Sequence, residues 1–136
     1  MATFRLEIVT PEGCAFSDDV DQVVIPGVEG EFGVLAQHMP VMTQIKPGEL
    51  AVKKGNEEFL LAVGEGFVEV LGDRVSVLTD MAFKAEEIDE AKAEEARKRA
   101  EAALQQKLTS EELATVTAAL ERSLAQLHVK RRRRRG

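Results

Sequence analysis

The stretch TDMAFKAEEIDEAKA, residues 79–93, decides the fold because the character of the chain changes within it. Upstream of Ala85 lie all six phenylalanines, all four prolines and nine of the ten glycines. Downstream there is neither a proline nor an aromatic residue, and alanine recurs every three or four positions. We therefore predict two domains, a strand-rich one over residues 1–84 and a helical one over residues 85–136.

Residues 1–84 show the alternation that is typical of half-buried strands. Phe4, Leu6 and Ile8 alternate with Arg5 and Glu7, so that one face is apolar and the other charged. Further strand candidates are residues 20–25, 41–45, 49–52, 58–63, 66–71 and 74–79. Short connections without a helix favour antiparallel pairing. The sequence thus predicts a small antiparallel β-sandwich.

The period of the apolar residues changes to that of a helix in residues 85–136. Ala93, Ala96 and Ala100 share one face of a helix predicted over residues 89–107. Thr109 and Glu112 form a capping box that starts a second helix, which is richer in leucine. Because small alanines leave room for larger leucines, the two helices are predicted to pack as an antiparallel hairpin. The predicted fold class is α+β, an N-terminal antiparallel β-sandwich followed by a C-terminal antiparallel α-helical hairpin.

Charge is distributed unevenly along this chain of 136 residues, whose net charge is -6. Residues 1–84 contribute -8 and residues 85–127 contribute -4, whereas residues 128–136 contribute +6. An acidic body with a basic tip is typical of one targeted electrostatic contact and not of general nucleic-acid binding. No uncharged apolar run approaches the roughly 18 residues of a membrane span. Glu7, so close to the N-terminus, argues against a signal peptide.

The sequence offers no constellation for catalysis or metal binding. Residues 27–33 contain three glycines but match neither the dinucleotide fingerprint nor the phosphate-binding loop. His38 and His128 are far apart in sequence, and Cys14 is the single cysteine. A metal site or an activated nucleophile needs convergent partners, so no catalytic or metal-ligating residue is assigned. We expect a non-catalytic protein that requires no cofactor.

Two other classes of function stay open on these observations. A small β domain with a basic tail would bind nucleic acid or an anionic surface, although the acidic sandwich and the lack of Trp and Tyr argue against base stacking. A small hydrolase would need a nucleophile beside an oriented base, and the sequence shows no such arrangement.

The most specific pattern begins in the glycine-rich segment. It reads Gly27-x-x-Gly30-Glu31-Phe32-Gly33-Val34-Leu35-x-x-His38-x-Pro40 and is followed by Lys46-Pro47-Gly48. This pattern resembles the characteristic stretch of the epsilon subunit of F-type ATP synthases. Residues 6–12, 64–70 and 87–89 extend the resemblance over the whole chain, with Glu65 at a position where many members have glycine.

The resemblance implies a non-catalytic rotor subunit in the central stalk of the synthase, which couples proton flow to ATP synthesis. In this family the sandwich binds the gamma subunit and the polar loops of the c-ring. The hairpin is mobile and inhibits ATP hydrolysis when it extends toward the alpha and beta subunits. The implied location is peripheral, at the cytoplasmic face of the inner (plasma) membrane, where only the complex links the chain to the membrane. No nucleic acid is expected as a partner.

The resemblance also implies which residues of the sandwich contact partners. Gly30, Glu31, Phe32 and Gly33 match the positions that meet the c-ring, and His38 matches the side that faces gamma.

A regulatory nucleotide site is implied on the hairpin. Some bacterial relatives bind ATP through a motif that Ile88, Asp89, Lys92 and Ala93 match, except that Lys92 replaces an arginine. Lysine lacks the planar fork of arginine, so weak ATP binding is expected. Arg99 and Arg122 are expected to add positive charge near a phosphate. Asp89 alternatively serves only as a helix cap.

The basic end of the chain consists of Arg131, Arg132, Arg133, Arg134 and Arg135 after Lys130. A run of like charge predicts a solvated, disordered segment that interacts through electrostatics. The resemblance implies contact between these arginines and acidic helices of the beta subunits. Anionic lipid is a competing partner.

Overall fold

The structure, a computed structural model, describes residues 2–135, except for the side chains of residues 134 and 135. The strands are β1 (Phe4–Thr10), β2 (Gly13–Val20), β3 (Gln22–Gly27), β4 (Gly30–Leu35), β5 (Val41–Ile45), β6 (Gly48–Lys54), β7 (Glu57–Val63), β8 (Gly66–Leu71), β9 (Arg74–Thr79) and β10 (Ala82–Lys84). A 3-10 turn (Ala85–Glu87) leads to α1 (Glu90–Ala103) and α2 (Ser110–Arg135). The predicted β-sandwich followed by a helical hairpin is confirmed.

The strands form one curled sheet that encloses the main core. Their order is β10-β7-β6-β3-β5-β8-β9-β1-β2, with β4 paired to β3. Successive side chains point to opposite faces of a strand, so Phe4, Leu6 and Ile8 of β1 point inward and are buried, as predicted. All buried members of this core lie between Phe4 and Val77. The sandwich therefore buries its apolar side chains without the helices.

Three strands, β2, β4 and the short β10, occupy segments that the sequence indicated as turns or left unassigned. β2 forms the sheet edge beside β1 and has few buried residues, so it lacks a strong alternating pattern. β4 pairs with β3 across the turn between Gly27 and Gly30, and its two glycines, Gly30 and Gly33, mask its strand character. Gly30 has a φ of 126°, a conformation that residues with a side chain rarely adopt.

One pairing contradicts the prediction of antiparallel strands throughout. β1 pairs with β9 in parallel, with Leu6 opposite Val75 and Ile8 opposite Val77. Parallel neighbours need a long connection, which is usually a helix. Here all of β2 to β8 makes that connection, so the lack of a crossover helix did not exclude a parallel pair.

The turn around Glu65 constrains its two glycine neighbours and not Glu65 itself. Among the described residues, Gln37 is the one non-glycine residue with a positive φ. Glu65 therefore does not have a positive φ, and its side chain causes no backbone strain. A Cβ on Gly66 would lie 1.8 Å from the carbonyl oxygen of Leu78, and one on Gly64 would lie 1.8 Å from Asp80 Oδ1. The chain packs closely on both sides of Glu65.

Side-chain caps fix the first turn of each helix. The Asp89 carboxylate accepts a hydrogen bond of 3.1 Å from the backbone N–H of Lys92, which confirms the cap. In the predicted capping box, Thr109 N–H donates to Glu112 Oε1 at 3.0 Å and Glu112 N–H donates to Thr109 Oγ1 at 3.1 Å. α1 ends at Ala103, four residues before the predicted Lys107.

The hairpin lies against the sandwich and forms a second, smaller core with it. Helix α2 packs on β6, β7 and the 3-10 turn as well as on α1. The buried residues of this second core are Leu60, Ala62, Met81, Ala85, Ile88, Ala125 and Val129. The prediction of a disordered basic end was wrong for the backbone, because α2 remains helical through Arg135.

Candidate interaction sites

The glycine-rich turn and His38 line one shallow cavity of about 350 Å³. Glu31 and Phe32 are on β4, opposite Pro26 and Ile25 of β3, and Glu31 is exposed. The His38 ring approaches across the opening, where its Nδ1 is 2.7 Å from the carbonyl oxygen of Met39 and is positioned to donate to it. The structure thus brings Glu31, Phe32 and His38 together at one end of the sandwich.

Gly30 and Gly33 support this site through the backbone. Gly30 belongs to the cavity and allows the tight turn, whereas Gly33 lies further along β4 opposite Val24. An amide nitrogen of Gln22 would lie 3.5 Å from a Cβ on Gly33, which is ordinary van der Waals contact. Gly30 is therefore the more constrained of the two glycines.

Sequence reasoning missed an exposed apolar strip formed by Met42, Phe67 and Leu78. Each of these side chains is more than half exposed. They lie on neighbouring strands β5, β8 and β9, and Phe67 pairs directly with Leu78. Apolar residues at the outward positions of alternating strands were the available signal. Met42 lies opposite Glu69, two residues along β8 from Phe67. Exposed apolar side chains grouped on neighbouring strands mark candidate interaction sites.

A second cavity, of about 440 Å³, is lined by residues from two segments that carry the family resemblance, residues 46–48 and residues 64–70. Lys46 and Pro47 line it on one side and Glu65 and Phe67 on another. Glu121 of α2 completes the wall, so the cavity lies where the hairpin meets the sandwich.

The residues assigned to a nucleotide site are divided between exposed and structural positions. Ile88 and Ala93 are buried, and Asp89 caps α1. Lys92 and Arg99 are exposed on α1. They are seven residues apart, which places them on one face about 10 Å from each other.

Arg122 lies apart from the beginning of α1. Its guanidinium is 3.6 Å from the Asp80 carboxylate of the sandwich. Arg131, nine residues further along α2, is the residue that contacts Glu90 and Glu94 of α1. Nine residues of helix span about 13.5 Å. The structure brings Asp89 and Lys92 together but does not add Arg122 to them.

The arginines at the end of α2 pair with carboxylates of their own chain. Arg131 donates to Glu90 and Glu94, each at 3.0 Å, and these bonds raise the pKa of Arg131. The pKa of Glu94 is lowered, first by its hydrogen bond from Arg97 and further by Arg131. Arg132 donates to Glu49 of β6.

Arg133 is exposed and has no ion pair with a described side chain. The side chains of Arg134 and Arg135 lie outside the described part of the chain. Arg131 and Arg132 are therefore exposed, as predicted, and their electrostatic partners in this structure are carboxylates of the same chain.

Within residues 2–135, no three or more His, Cys, Asp or Glu side chains gather in a way that would hold a metal ion. The same residues include no helix long and apolar enough to cross a membrane.

Two known domain families match consecutive parts of the chain. Residues 3–85 match the family "ATP synthase, Delta/Epsilon chain, beta-sandwich domain". Residues 86–131 match the family "ATP synthase, Delta/Epsilon chain, long alpha-helix domain". These two matches, together with the fold of a sandwich and a hairpin, define a subunit of a multi-protein complex. The chain belongs to the ATP synthase delta/epsilon family, and the resemblance recognised in its sequence is confirmed.

Individual relatives agree over nearly their whole length. The chain is 50% identical to the ATP synthase epsilon chain of Dehalococcoides mccartyi, over 99% of this chain and 97% of the relative. It is 44% identical to the ATP synthase epsilon chain of Herpetosiphon aurantiacus, over 96% of each chain.

Among solved structures, a chain of the Euglena gracilis mitochondrial ATP synthase complex "OSCP/F1/c-ring in rotational state 1" has a TM-score of 0.78 at 28% identity. That match covers 94% of this chain and 81% of the other. A chain of the Tetrahymena thermophila mitochondrial ATP synthase central stalk/c-ring has a TM-score of 0.57 at 12% identity, which shows the fold alone.

Proposed function

We propose that this chain is a non-catalytic rotor subunit of an F-type ATP synthase, in which the sandwich joins the gamma subunit to the c-ring and the hairpin inhibits ATP hydrolysis. The observation that carries the proposal is the full-length match to epsilon chains, together with a solved neighbour from an F1/c-ring assembly. The subunit would sit peripherally at the cytoplasmic face of the membrane and help to couple proton flow to ATP synthesis.

The sandwich offers two different surfaces for its two partners. The exposed Glu31 at the glycine-rich turn suits the polar loops of the c-ring, because a rim carboxylate gives orientation and specificity in a polar contact. The apolar strip of Met42, Phe67 and Leu78 suits the gamma subunit, because a stable interface needs an apolar centre. His38 lies beside Glu31 and would border both contacts.

The hairpin is held in a way that permits release. Its second core has seven buried residues, and three of them are alanines, which bury little area; the others are one leucine, one isoleucine, one methionine and one valine. The partly exposed ion pair between Arg122 of α2 and Asp80 of the sandwich adds to this hold. Exposed pairs contribute about 0–1 kcal/mol each. The alpha and beta subunits would therefore need to offer only modest binding energy to capture the extended hairpin.

Hydrolysis by the assembled enzyme tests the inhibitory role. A chain that ends after Lys84 lacks the hairpin, and we expect the complex that contains it to hydrolyse ATP faster than the complex with the full chain. Equal hydrolysis rates over a range of ATP concentrations and proton-motive force would exclude the hairpin as an inhibitor.

Co-purification with the gamma subunit tests the apolar strip. Phe67→Glu places a charge at the centre of the strip and should reduce recovery with gamma. Phe83→Glu is the matched control, because Phe83 is also exposed but lies on β10, which pairs with β7 and not with the strands of the strip. Equal recovery of both variants would place the gamma contact elsewhere.

A further inference from the structure

Glu49 is a buried carboxylate to which the proposed function assigns no role. It is the second residue of β6, beneath the C-terminal part of α2, and its side chain is 8% exposed. Arg132 donates a hydrogen bond to Glu49 Oε2, whereas Glu49 Oε1 is buried without a hydrogen-bond partner. A buried carboxylate oxygen without a donor lowers stability, because it has lost its hydration and gained nothing in return.

His128 is the side chain placed to satisfy that oxygen. Its Nε2 is 3.6 Å from Glu49 Oε1, while the histidine side chain remains 65% exposed to water. A proton on the imidazole turns it into a cation beside a carboxylate, and a small movement of the ring would complete a charge-assisted hydrogen bond. The neutral imidazole holds the carboxylate less strongly.

The other charged groups around His128 leave this interaction intact. Arg131 and Arg132 border the same groove of α2 as His128. Arg131 is neutralised by the two carboxylates of α1 described above, and Arg132 by Glu49 itself. Lys130 is directed away, to the carbonyl oxygen of Ala85 at 3.1 Å. β7 and the 3-10 turn present their buried apolar residues to this part of α2.

We propose that Glu49, His128 and Arg132 form a proton-sensitive clasp that holds the compact hairpin on the sandwich. With His128 protonated, two cations bind the one buried carboxylate. When the imidazole loses its proton at higher pH, Arg132 is the one cation left on the carboxylate, and the hold on α2 weakens. This proposal rests on the proposed mobility of the hairpin. Weakening of the clasp at higher pH would raise the population of the extended, inhibitory state.

Backbone amide exchange of the isolated full chain tests the clasp without the rest of the synthase. Protection factors, corrected for the intrinsic pH dependence of exchange, are measured for Ala125 and Val129 at about pH 5 and about pH 8. We expect about two- to fivefold less protection at the higher pH, the range for an ion pair with one exposed partner. Amides of the main core should not change, which verifies that the sandwich stays folded.

Two histidine variants make the test specific. His128→Gln should remove the pH difference in α2. His38→Gln, the matched control on the sandwich, should retain it, because His38 lies far from the hairpin contact. A native chain whose α2 protection does not change with pH, or a pH difference that persists in His128→Gln, would overturn the proposal.

Glu49→Gln provides an independent measurement on the other partner. The amide keeps the size of the side chain but removes its charge, so both the pH difference and part of the protection at low pH should disappear. If Glu49→Gln prevents folding, the result for His128→Gln decides whether the proposal holds. These experiments do not measure ATP hydrolysis. A negative result would therefore contradict the clasp and leave the proposed inhibitory role to be decided by the hydrolysis experiment.

Discussion

Gly66 is a residue whose missing side chain the sandwich requires. It begins β8 opposite Thr79, and a Cβ there would lie 1.8 Å from the carbonyl oxygen of Leu78 and 2.8 Å from the Cα of Thr79. These neighbours are backbone atoms of the adjacent strand, so they cannot move away as a flexible side chain would.

We predict that Gly66→Ala lowers the free energy of unfolding by about 1–3 kcal/mol, the usual cost of overpacking. Gly72→Ala is the matched control, since a Cβ on Gly72 meets nothing within 4 Å. Its effect should stay within about 0.5 kcal/mol. Urea denaturation followed by far-ultraviolet circular dichroism measures both. Similar unfolding midpoints for the two variants would contradict the close packing at Gly66.

The expectation of weak ATP binding by the hairpin depends on Lys92. It is exposed in the first turn of α1, where backbone N–H groups favour an anion. We predict that Lys92→Arg tightens ATP binding severalfold, because a guanidinium binds phosphate oxygens with two parallel hydrogen bonds. Lys98→Arg, on the exposed side of the same helix, is the control. Chemical shifts of the isolated chain measure the affinity, and ATP-dependent shifts confined to the arginine run would show nonspecific anion binding instead.

Residue-level prediction from the sequence succeeded where a contact is local. Asp89 as a cap and the pair Thr109 and Glu112 needed only a spacing of three residues. The pair between Glu49 and Arg132 joins residues 83 positions apart, and the sequence holds no signal for it. The exposed strip around Phe67 was missed, although Phe67 and Leu78 stand at outward positions of strands whose alternation was recognised.

At the scale of elements, alternation identified the strands with an apolar inward face. β1, β8 and β9 each bury every second residue, so their pattern was visible. β2 buries only Val20 fully, and β4 only Val34, so their existence depends on pairing with β1 and β3 and not on their own pattern. The parallel contact of β1 with β9 depends on the path of the whole chain.

The end of α2 is an element with two sets of electrostatic partners. In the compact state Arg131 and Arg132 pair with Glu49, Glu90 and Glu94 of the same chain. In the proposed extended state the same arginines would meet acidic surfaces of the catalytic head. Salt, which screens charges beyond about 8 Å at physiological strength, therefore weakens both states. Arg133, which is exposed and has no ion pair with a described side chain, separates the two effects.

We predict that replacing Arg133 with alanine relieves inhibition of hydrolysis and reduces its dependence on salt, because the exposed Arg133 has no ion pair with a described side chain in the compact state. Replacing Arg131 and Arg132 instead should increase inhibition at low salt, since it also releases the compact hairpin. Hydrolysis by the reconstituted enzyme over a salt series measures both. If all variants follow the curve of the native chain, the arginines only increase solubility, and hydrophobic docking of α2, which salt does not screen, holds the extended state.

At the scale of the whole molecule, two cores of unequal size explain why one part is stable and the other releasable. The main core lies entirely within the strands, between Phe4 and Val77. The second core includes Leu60, Ala62 and Met81 from the sandwich, which are covered by Ala125 and Val129 of α2. Removal of the hairpin exposes the second core and leaves the first one complete. The change of character near Ala85 indicated this division, but the docking of α2 on β6 and β7 did not follow from it.

We predict that a chain ending after Lys84 folds and still joins the gamma subunit, with a lower melting temperature than the full chain. The loss arises from the newly exposed Leu60 and Met81 and from Glu49, which loses Arg132 and becomes hydrated. Since the main core accounts for most of the buried apolar area, the transition should remain cooperative. NMR spectra with dispersed amide resonances, and co-purification with gamma, verify the two parts of the prediction. Collapsed resonances with retained far-ultraviolet circular dichroism would indicate a molten sandwich, and the hairpin would then be required for folding as well as for regulation.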